Sequence, residues 1–214
     1  MIEYTISQIA QIVDGKLFAP KDFQDKKIEQ IVTDSRIFFN KECALFFALK
    51  GPRNNGHSYI PDLRKKGLGA FVVSQPDAIS ENADFILVEN TSEALQKLAA
   101  HHRNTFQVPV VGITGSNGKT IVKEWLHELL SEEFSIVRSP KSYNSQIGVP
   151  LSVLLMDKHF NLAIFEAGIS QPGEMEKLEK VIQPEIGILT NIGDAHQENF
   201  SSKRQKTDQL RPKY

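Results

Sequence analysis

Residues 110–125 read VVGITGSNGKTIVKEW, an apolar run that leads through a glycine-studded turn into Gly-Lys-Thr. A buried strand that ends in such a turn and continues into a helix is typical of a phosphate-binding loop. Glycines let backbone N–H groups turn toward an anion, and the helix N-terminus adds a favourable dipole. The common spacing G-x-x-x-x-G-K-[ST] is not met, because Ile113 stands five positions before Gly118. The stretch therefore predicts a phosphate cradle of a different spacing.

Six consecutive residues form this predicted nucleotide-binding cradle: Gly115, Ser116, Asn117, Gly118, Lys119 and Thr120. Lys119 is expected to reach the outer phosphates, and the Thr120 hydroxyl is expected to bind Mg²⁺. The alternative is a strand–helix turn with an ordinary surface lysine. The Gly-Lys-Thr sequence in this context favours the phosphate cradle over the surface turn.

The bulk composition is that of an ordinary globular chain. Of 214 residues, 40% are apolar and 24% are charged, with 25 Lys and Arg against 26 Asp and Glu. This balance gives no electrostatic drive toward nucleic acid or an anionic membrane. The single cysteine, Cys43, excludes an intrachain disulfide and a cysteine-built metal site. Cys43 lies beside the apolar run ALFFAL and is expected to be buried.

Nothing in the sequence predicts membrane insertion. The N-terminus MIEYTISQIAQIV is too polar for a signal peptide, and no apolar run reaches 18 residues. We therefore expect a cytoplasmic monomer that binds neither nucleic acid nor membrane.

The pattern of strands and helices changes near residue 107, where we place a domain boundary. Before it, residues 1–107 alternate short strand-like runs with helical patterns. The predicted strands are 28–33, 44–49, 70–74 and 85–89, and the predicted helices are 6–13, 58–66 and 93–104, the last with Asn90 and Glu93 as a capping pair.

After the boundary, residues 108–214 carry longer apolar runs. VPVVGIT, NLAIFEAG and EIGILTNIG are continuous enough to predict strands of a parallel sheet buried on both faces. Helical patterns at 120–130, 150–156 and 173–181 lie between them. The fold class is therefore predicted as α/β, with a small mixed α/β domain followed by a parallel-sheet domain of the P-loop type.

The loop ITGSNGKT resembles the ATP-binding loop of the Mur ligase family, which has T-G-[ST]-x-G-K-[ST]. Three later segments resemble the family's motifs in the same order: YNSQIGVPLSVLL (143–155), FEAGISQPGEM (165–175) and TNIGDAHQENF (190–200). Upstream, VTDSR (32–36) and LFFALKGPRNNGHSYI (45–60) are similar to the family's uridine-nucleotide-binding domain. The resemblance covers nearly the whole chain up to about residue 208.

The resemblance implies an ATP-dependent amide ligase. The Pro-Gly-Glu continuation and the HxENF ending favour the activity that adds D-alanyl-D-alanine to UDP-N-acetylmuramoyl-tripeptide through an acyl phosphate. The substrates implied are thus UDP-N-acetylmuramoyl-peptide, D-alanyl-D-alanine and ATP, within peptidoglycan biosynthesis. Such chemistry requires charge neutralisation around the phosphates and close placement of the reactants.

The resemblance also assigns roles to residues outside the cradle. Glu166 follows a predicted buried strand and is expected to bind Mg²⁺ with Thr120; a solvent-facing acid is the alternative. His196 is expected to help hold a second Mg²⁺, although a surface histidine is the usual explanation for such a residue alone. Asn144 is expected near the reacting phosphate and amine, with a turn residue as the alternative. Lys119, Asn144 and His196 are the predicted catalytic residues.

In the first domain, the predicted substrate-binding residues are Ser35, Arg36, Asn55, Gly56 and His57. Ser35 and Arg36 resemble the family's nucleotide contacts, and the forked donors of arginine suit a diphosphate. The segment 55–57 is a polar loop that is expected to line the same site. An ordinary turn would have the same sequence.

The C-terminal end predicts an incomplete central domain. The family has a carbamylated lysine about fourteen residues after the histidine, where this chain has Leu210, with Lys206 and Lys213 out of register. We therefore expect that the chain as given completes no ligase cycle. Two alternatives stay open: a folylpolyglutamate-synthetase-like ligase, against which the TDSR and LFFALKG segments argue, and a nucleotide-binding module without catalysis.

Overall fold

The structure is a computed structural model. It describes residues 2–37, 42–51, 54–193, 199–200, 202 and 207–208. The chain divides into two compact units, Met1–Leu98 and Ala99–Tyr214. The predicted boundary at residue 107 lies close to this division and stays a prediction.

The first unit contains short strands and helices in alternation. In chain order they are β1 (Tyr4–Thr5), α1 (Ile6–Ile12), β2 (Lys16–Phe18), β3 (Lys27–Ile28), β4 (Gln30–Val32), β5 (Ala44–Phe47), a 3-10 turn (Gly56–Tyr59), α2 (Ile60–Lys65), β6 (Ala70–Val73), a second 3-10 turn (Pro76–Ala78), β7 (Asp84–Leu87) and α3 (Thr91–Asn104), which ends in the second unit.

The main sheet of this unit has the strand order β2-β7-β6-β5-β4. Strands β4 to β7 are parallel, and β2 runs antiparallel to β7 at one edge. Phe46, Phe71 and Phe85 are almost completely buried, and the rings of Phe71 and Phe85 stack with centroids 5.3 Å apart. Aromatic packing across neighbouring strands therefore forms the core of this unit.

Side chains cap two helices of this unit. Thr5 and Gln8 form a reciprocal capping box at the start of α1. Asn90 Oδ1 accepts hydrogen bonds from the backbone N–H groups of Ser92 and Glu93, which caps α3 as the sequence predicts.

The second unit is a parallel α/β layer. Its elements are β8 (Val110–Thr114), α4 (Lys119–Leu130), β9 (Ile136–Arg138), α5 (Gly148–Val153), β10 (Leu162–Glu166), α6 (Glu174–Ile182) and β11 (Ile186–Leu189). The strand order is β11-β8-β10-β9, and every pair is parallel. The carboxyl ends of the strands therefore meet at one edge of the sheet.

The predicted fold class is confirmed, and some local predictions are wrong. The run at 28–33 is divided between β3 and β4, and helix α5 begins two residues before the predicted start at 150. Cys43, which the sequence predicts to be buried, is only half-buried, because it lies just before the buried strand β5 and not within it.

One strand of the second unit is less buried than its sequence predicts. Strands β8 and β10 lie inside the sheet and are buried, as expected. Strand β11 lies at the end of the described strand order, with Ile186 53% exposed and Leu189 37% exposed. The apolar composition of β11 does not reveal that this strand has only one neighbour, β8, in the described sheet.

None of the helices in the described part of the chain is long and apolar enough to cross a membrane.

Candidate active site

The turn between β8 and α4 has the backbone that the sequence predicts. Gly115 has φ +134° and Gly118 has φ +83°, conformations that favour glycine. A Cβ at position 115 would overlap the Thr190 hydroxyl, and it would approach the Asn191 backbone to 3.0 Å. Both glycines are therefore required by local geometry, and the turn ends directly at the N-terminus of α4.

The middle of the turn is tied to the segment after β11. Ser116 N–H donates to Asn191 O at 2.9 Å, and Asn117 N–H donates to Asn191 Oδ1 at 2.9 Å. The Thr190 hydroxyl donates to Asn117 O at 2.6 Å. These bonds hold the turn in place. Phosphate binding by the N–H groups of Ser116 and Asn117 would have to replace two of them.

Lys119 folds back over the turn. Its Nζ donates to Gly115 O at 2.6 Å, across the glycine-rich segment. A lysine held at this position carries its charge beside the helix N-terminus, where both the dipole and the ammonium favour an anion. The predicted position of Lys119 at the phosphate cradle therefore agrees with the geometry, and its role stays a prediction.

Three predicted site residues meet at the end of β10. Thr120 Oγ1 donates to Glu166 Oε2 at 3.1 Å, and Asn144 Nδ2 lies 3.5 Å from the same oxygen. Glu166 is completely buried, and its backbone N–H donates to Ser139 Oγ at 3.1 Å. The solvent-facing alternative for Glu166 is therefore wrong: the carboxylate is buried at the edge of the sheet, next to Thr120 in the first turn of α4.

Asn144 is held in place by its own backbone as well as by its side chain. Gly168 N–H donates to Asn144 O at 2.8 Å, and a Cβ at Gly168 would lie 3.0 Å from Asn144 Cγ. The Glu-Ala-Gly sequence at 166–168, which begins with the last residue of β10, thus leaves room for the asparagine beside the acid.

A residue that the sequence analysis missed completes this cluster. Lys123 Nζ lies 3.1 Å from Glu166 Oε1, and both side chains are completely buried. Glu166 Oε1 nevertheless accepts no hydrogen bond, so this contact is an ion pair without a directed N–H. The sequence could have indicated Lys123, because in a helix the residue three positions after Thr120 lies on the same face as Thr120.

Lys123 has further oxygen partners. Its Nζ donates to Ser139 O at 2.7 Å and to Lys141 O at 2.5 Å, and it lies 2.9 Å from Glu124 Oε1. The hydrogen bond from Lys123 lowers the pKa of Glu124. Glu124 also accepts from Arg138 Nε at 3.1 Å.

The donor atoms at Thr120 and Glu166 fit Mg²⁺, which prefers hard oxygen ligands and is usually held by one or two carboxylates. The buried Glu166 oxygen without a hydrogen bond supports this fit. Among the described residues there is no group of three His, Cys, Asp or Glu side chains placed to hold a metal. His196, the predicted ligand of a second Mg²⁺, and Leu210, with Lys206 and Lys213, lie outside the described residues.

In the first unit, Arg36 is paired with a neighbouring acid. Its Nε lies 2.9 Å from Asp34 Oδ1, and its Nη2 lies 2.6 Å from Asp34 Oδ2. Arg36 holds the pKa of Asp34 at about 2, mainly through its side-chain hydrogen bonds. The Arg36 side chain is 86% exposed, so the guanidinium is accessible although one edge is used. Ser35 lies in the same turn.

The segment 55–57 is an ordered turn. His57 Nε2 accepts from the Ser74 N–H at 2.9 Å, so the ring proton is on Nδ1, which donates to Asn55 Oδ1 at 2.8 Å. Burial lowers the pKa of His57. A Cβ at Gly56 would lie within 2.8 Å of the backbone of Ala48 and Leu49. These contacts give all three residues a structural role, and their substrate-binding role stays a prediction.

Two models of one protein family match most of the chain. The Mur ligase family catalytic domain matches residues 27–103, and the Mur ligase middle domain matches residues 113–206. The chain belongs to the Mur ligase family. The loop at 115–120 and Glu166 both lie in the segment of this chain that matches the Mur ligase middle domain.

Several curated relatives of this Mur ligase chain share one name. The UDP-N-acetylmuramoyl-tripeptide--D-alanyl-D-alanine ligase of Bacillus subtilis is 34% identical over 207 residues, which are 95% of this chain and 44% of the relative. The protein of the same name from Escherichia coli is 33% identical over 202 residues, which are 94% of this chain and 43% of the relative. The chain thus spans less than half the length of these relatives.

Solved structures agree with the Mur ligase fold. A crystal structure of MurF from Acinetobacter baumannii matches with a TM-score of 0.89 and 30% identity, covering 97% of this chain and 46% of that one. MurF from Thermotoga maritima in complex with ADP matches with a TM-score of 0.76 and 32% identity, covering 85% of this chain and 42% of that one.

Proposed function

We propose that this chain carries the uridine-nucleotide-binding and ATP-binding parts of an enzyme that joins D-alanyl-D-alanine to UDP-N-acetylmuramoyl-tripeptide. The observation that supports this most directly is the buried Glu166 carboxylate, which contacts Thr120 and Asn144 beside the glycine loop. The relatives that carry this activity in their names add the substrate class.

In the proposed reaction, a carboxylate oxygen of the UDP-linked peptide attacks the γ-phosphorus of ATP, and the bond to ADP breaks. The amine nitrogen of D-alanyl-D-alanine then attacks the acyl carbon and loses a proton, and inorganic phosphate leaves. Both steps develop negative charge on phosphate oxygens, so the protein contributes chiefly by neutralising charge and placing the reactants.

The described residues suit these tasks. Lys119 would exchange its bond to Gly115 O for a phosphate oxygen, bringing its charge to the outer phosphates. Thr120 and Glu166 would hold Mg²⁺, which supplies charge neutralisation at the phosphates when bound. The Asn144 amide, beside Glu166, would orient the incoming group.

In the first unit, Ser35 and Arg36 would bind the uridine diphosphate. The Arg36 guanidinium is exposed, and a diphosphate would have to compete with Asp34 for it. Asn55, Gly56 and His57 would shape the neighbouring turn. His196 is proposed as a ligand for a second Mg²⁺. The cytoplasmic location and the monomeric state stay predictions.

Calorimetric titration of the 214-residue chain tests the proposal. We expect binding of ADP with Mg²⁺ and of UDP-N-acetylmuramoyl-tripeptide, and no binding of a folate. Lys119→Ala should weaken ADP binding roughly 10- to 100-fold, since hydrogen bonds to charged groups contribute about 1.5–3 kcal/mol. Lys180→Ala is the matched control, because Lys180 is an exposed lysine of α6 that pairs with Glu176.

The outcomes separate the alternatives. Folate binding without UDP-substrate binding would support the folylpolyglutamate-synthetase-like interpretation. Binding of ADP alone would support a nucleotide-binding module. An ADP affinity that is the same in Lys119→Ala and in Lys180→Ala would contradict the cradle.

A further inference from the structure

We infer that Lys123 is a positioning residue for the metal site proposed above: it compensates the charge of Glu166 without occupying the lone pairs of that carboxylate, and it fixes the segment that carries Asn144. This inference rests on the proposed function of Thr120 and Glu166. It assigns a role to a lysine that contacts neither phosphate nor metal.

The first step of the argument is a count of donors. A lysine ammonium has three N–H donors. Two of them go to the carbonyl oxygens of Ser139 and Lys141, at 2.7 Å and 2.5 Å. The third faces two carboxylates: Glu124 Oε1 at 2.9 Å and Glu166 Oε1 at 3.1 Å.

Glu124 is the closer of the two partners. Its Oε1 forms an ion pair with Lys123 Nζ at 2.9 Å, whereas Glu166 Oε1 is a buried oxygen that accepts no hydrogen bond. Glu166 therefore gains the electrostatic attraction of a cation 3.1 Å away, while its Oε1 keeps its lone pairs free of hydrogen bonds. A carboxylate in that state stays available to a metal, because a ligand bond does not have to displace a hydrogen bond.

The second step concerns the segment 139–144. Lys123 binds the carbonyl oxygens of Ser139 and Lys141, and the Ser139 hydroxyl accepts from Glu166 N–H at 3.1 Å. The same segment ends at Asn144, whose amide lies 3.5 Å from Glu166 Oε2. The buried ammonium of Lys123 thus connects helix α4, the Glu166 carboxylate and the segment that ends at Asn144.

Two effects of Lys123 on a bound metal oppose each other. Its positive charge repels a cation at Glu166, which alone would weaken metal binding. Its bonds orient the acid and the asparagine, which strengthens metal binding. Outer-shell partners of metal ligands typically change the affinity about 10- to 100-fold when removed. We expect positioning to dominate, so that loss of Lys123 weakens metal binding.

The experiment measures Mn²⁺ binding to the 214-residue chain by electron paramagnetic resonance in the presence of ADP. Lys123→Met should weaken Mn²⁺ binding about 10- to 100-fold. In a Glu166→Gln background the same substitution should change the affinity less than about threefold, because an outer-shell effect of this kind requires its ligand. The inference would be overturned if Lys123→Met weakened Mn²⁺ binding equally in both backgrounds. It would also be overturned if Lys123→Met left Mn²⁺ binding unchanged or made it tighter.

A matched control separates positioning from general destabilisation. Arg103 is another buried cation of the second unit, with its donors on the carbonyl oxygens of Ile182, Phe106 and Gln183 and on Glu185. Arg103→Met should lower the midpoint of thermal unfolding yet leave the Mn²⁺ affinity unchanged. A comparable loss of Mn²⁺ affinity in Arg103→Met would overturn the inference, since any loss of stability would then suffice.

A second substitution decides the matter if Lys123→Met does not fold. Glu124 is half-exposed, and Glu124→Ala removes the carboxylate that forms the closer ion pair with Lys123 Nζ, at 2.9 Å. The third N–H of Lys123 should then turn to Glu166 Oε1, and Mn²⁺ binding should weaken relative to Glu128→Ala, which changes an exposed acid on the next turn of α4. Unchanged or tighter binding would overturn the inference.

Failure of the proposed metal site is distinguishable from failure of this inference. If the unsubstituted chain does not bind Mn²⁺ with ADP, the proposed site itself is wrong. Amide hydrogen exchange then tests the positioning role. The Glu166 and Gly168 amides, which donate to Ser139 Oγ and Asn144 O, should exchange at least about tenfold faster in Lys123→Met than in Arg103→Met. Equal rates would overturn the inference.

Discussion

Gly56 tests whether the turn at 55–57 is structural or binds the substrate. A Cβ at this position would lie 2.7 Å from Leu49 N and 2.8 Å from both Ala48 C and Leu49 O. Gly56 N–H also donates to Leu49 O at 2.8 Å. All the atoms in the way belong to the backbone, so no side-chain rotation can make room for a methyl group.

The magnitude follows from the overlap. Ordinary contacts of a Cβ begin at 3.4 Å, so Gly56→Ala must separate two backbone segments by about 0.7 Å. Overpacking of this kind typically costs about 1–3 kcal/mol. Replacing glycine also restricts the unfolded chain, which offsets about 0.4–1 kcal/mol. We therefore expect the free energy of unfolding to fall by about 1–2 kcal/mol.

Gly69 provides the matched control in the same unit. Nothing lies within 4 Å of a Cβ at Gly69, and its backbone is not in the left-handed region, so Gly69→Ala should be neutral or slightly stabilising. Urea unfolding followed by circular dichroism gives the two free energies. Exchange of the Ala48 amide, which donates to Val72 O at 2.9 Å, reports on the first unit alone.

Two results would refute this reasoning. Equal stability of Gly56→Ala and Gly69→Ala would show that the backbone approach at Gly56 does not constrain the fold. Unchanged stability together with lost affinity for UDP-N-acetylmuramoyl-tripeptide would show that Gly56 acts through a ligand contact instead.

Two further predictions concern pH and the phosphate loop. Because burial lowers the pKa of His57 below its ordinary value near 6.5, its contribution to stability is complete above pH 6.5 and is lost as the pH falls toward the lowered value. The free energy of unfolding should therefore fall more steeply below pH 6.5 in the unsubstituted chain than in His57→Gln, and parallel pH curves would contradict this. Gly115→Ala should destabilise the chain by about 1–3 kcal/mol and weaken ADP binding, because it combines a φ of +134° with overlap on Thr190. Gly173→Ala, at a φ of +83° with open space around it, is the control, and an equal loss of ADP affinity there would argue against a specific role of the loop.

The sequence predicts well where a local signal is strong. The apolar run, the glycines and Gly-Lys-Thr identify β8, the turn and α4, and the observed helix begins one residue before the predicted start at 120. Short elements gave no such signal. Strand β9 has only three residues, and its pairing with β10 depends on a partner about 26 residues later in the chain.

Burial is the property that the sequence predicts least well. The run EIGILTNIG predicts a buried strand, as does the run that forms β10, yet β11 pairs with β8 alone in the described sheet and is largely exposed. Lys123 shows the opposite error. A lysine in a helical pattern is normally solvated, and the oxygens of Ser139, Lys141, Glu124 and Glu166 account for its complete burial.

That burial also bears on why the residue is a lysine. A buried ion pair gives little net stability, because the cost of removing both charges from water is about as large as their attraction. A leucine at position 123 would fill the space, but it would leave the Glu166 carboxylate buried without a compensating charge and two carbonyl oxygens without donors. Stability alone therefore does not explain the pair. A requirement to keep a charged carboxylate at the end of β10, next to the hydroxyl of Thr120, does explain it, since a buried cation can hold that charge while leaving Glu166 Oε1 without a hydrogen bond.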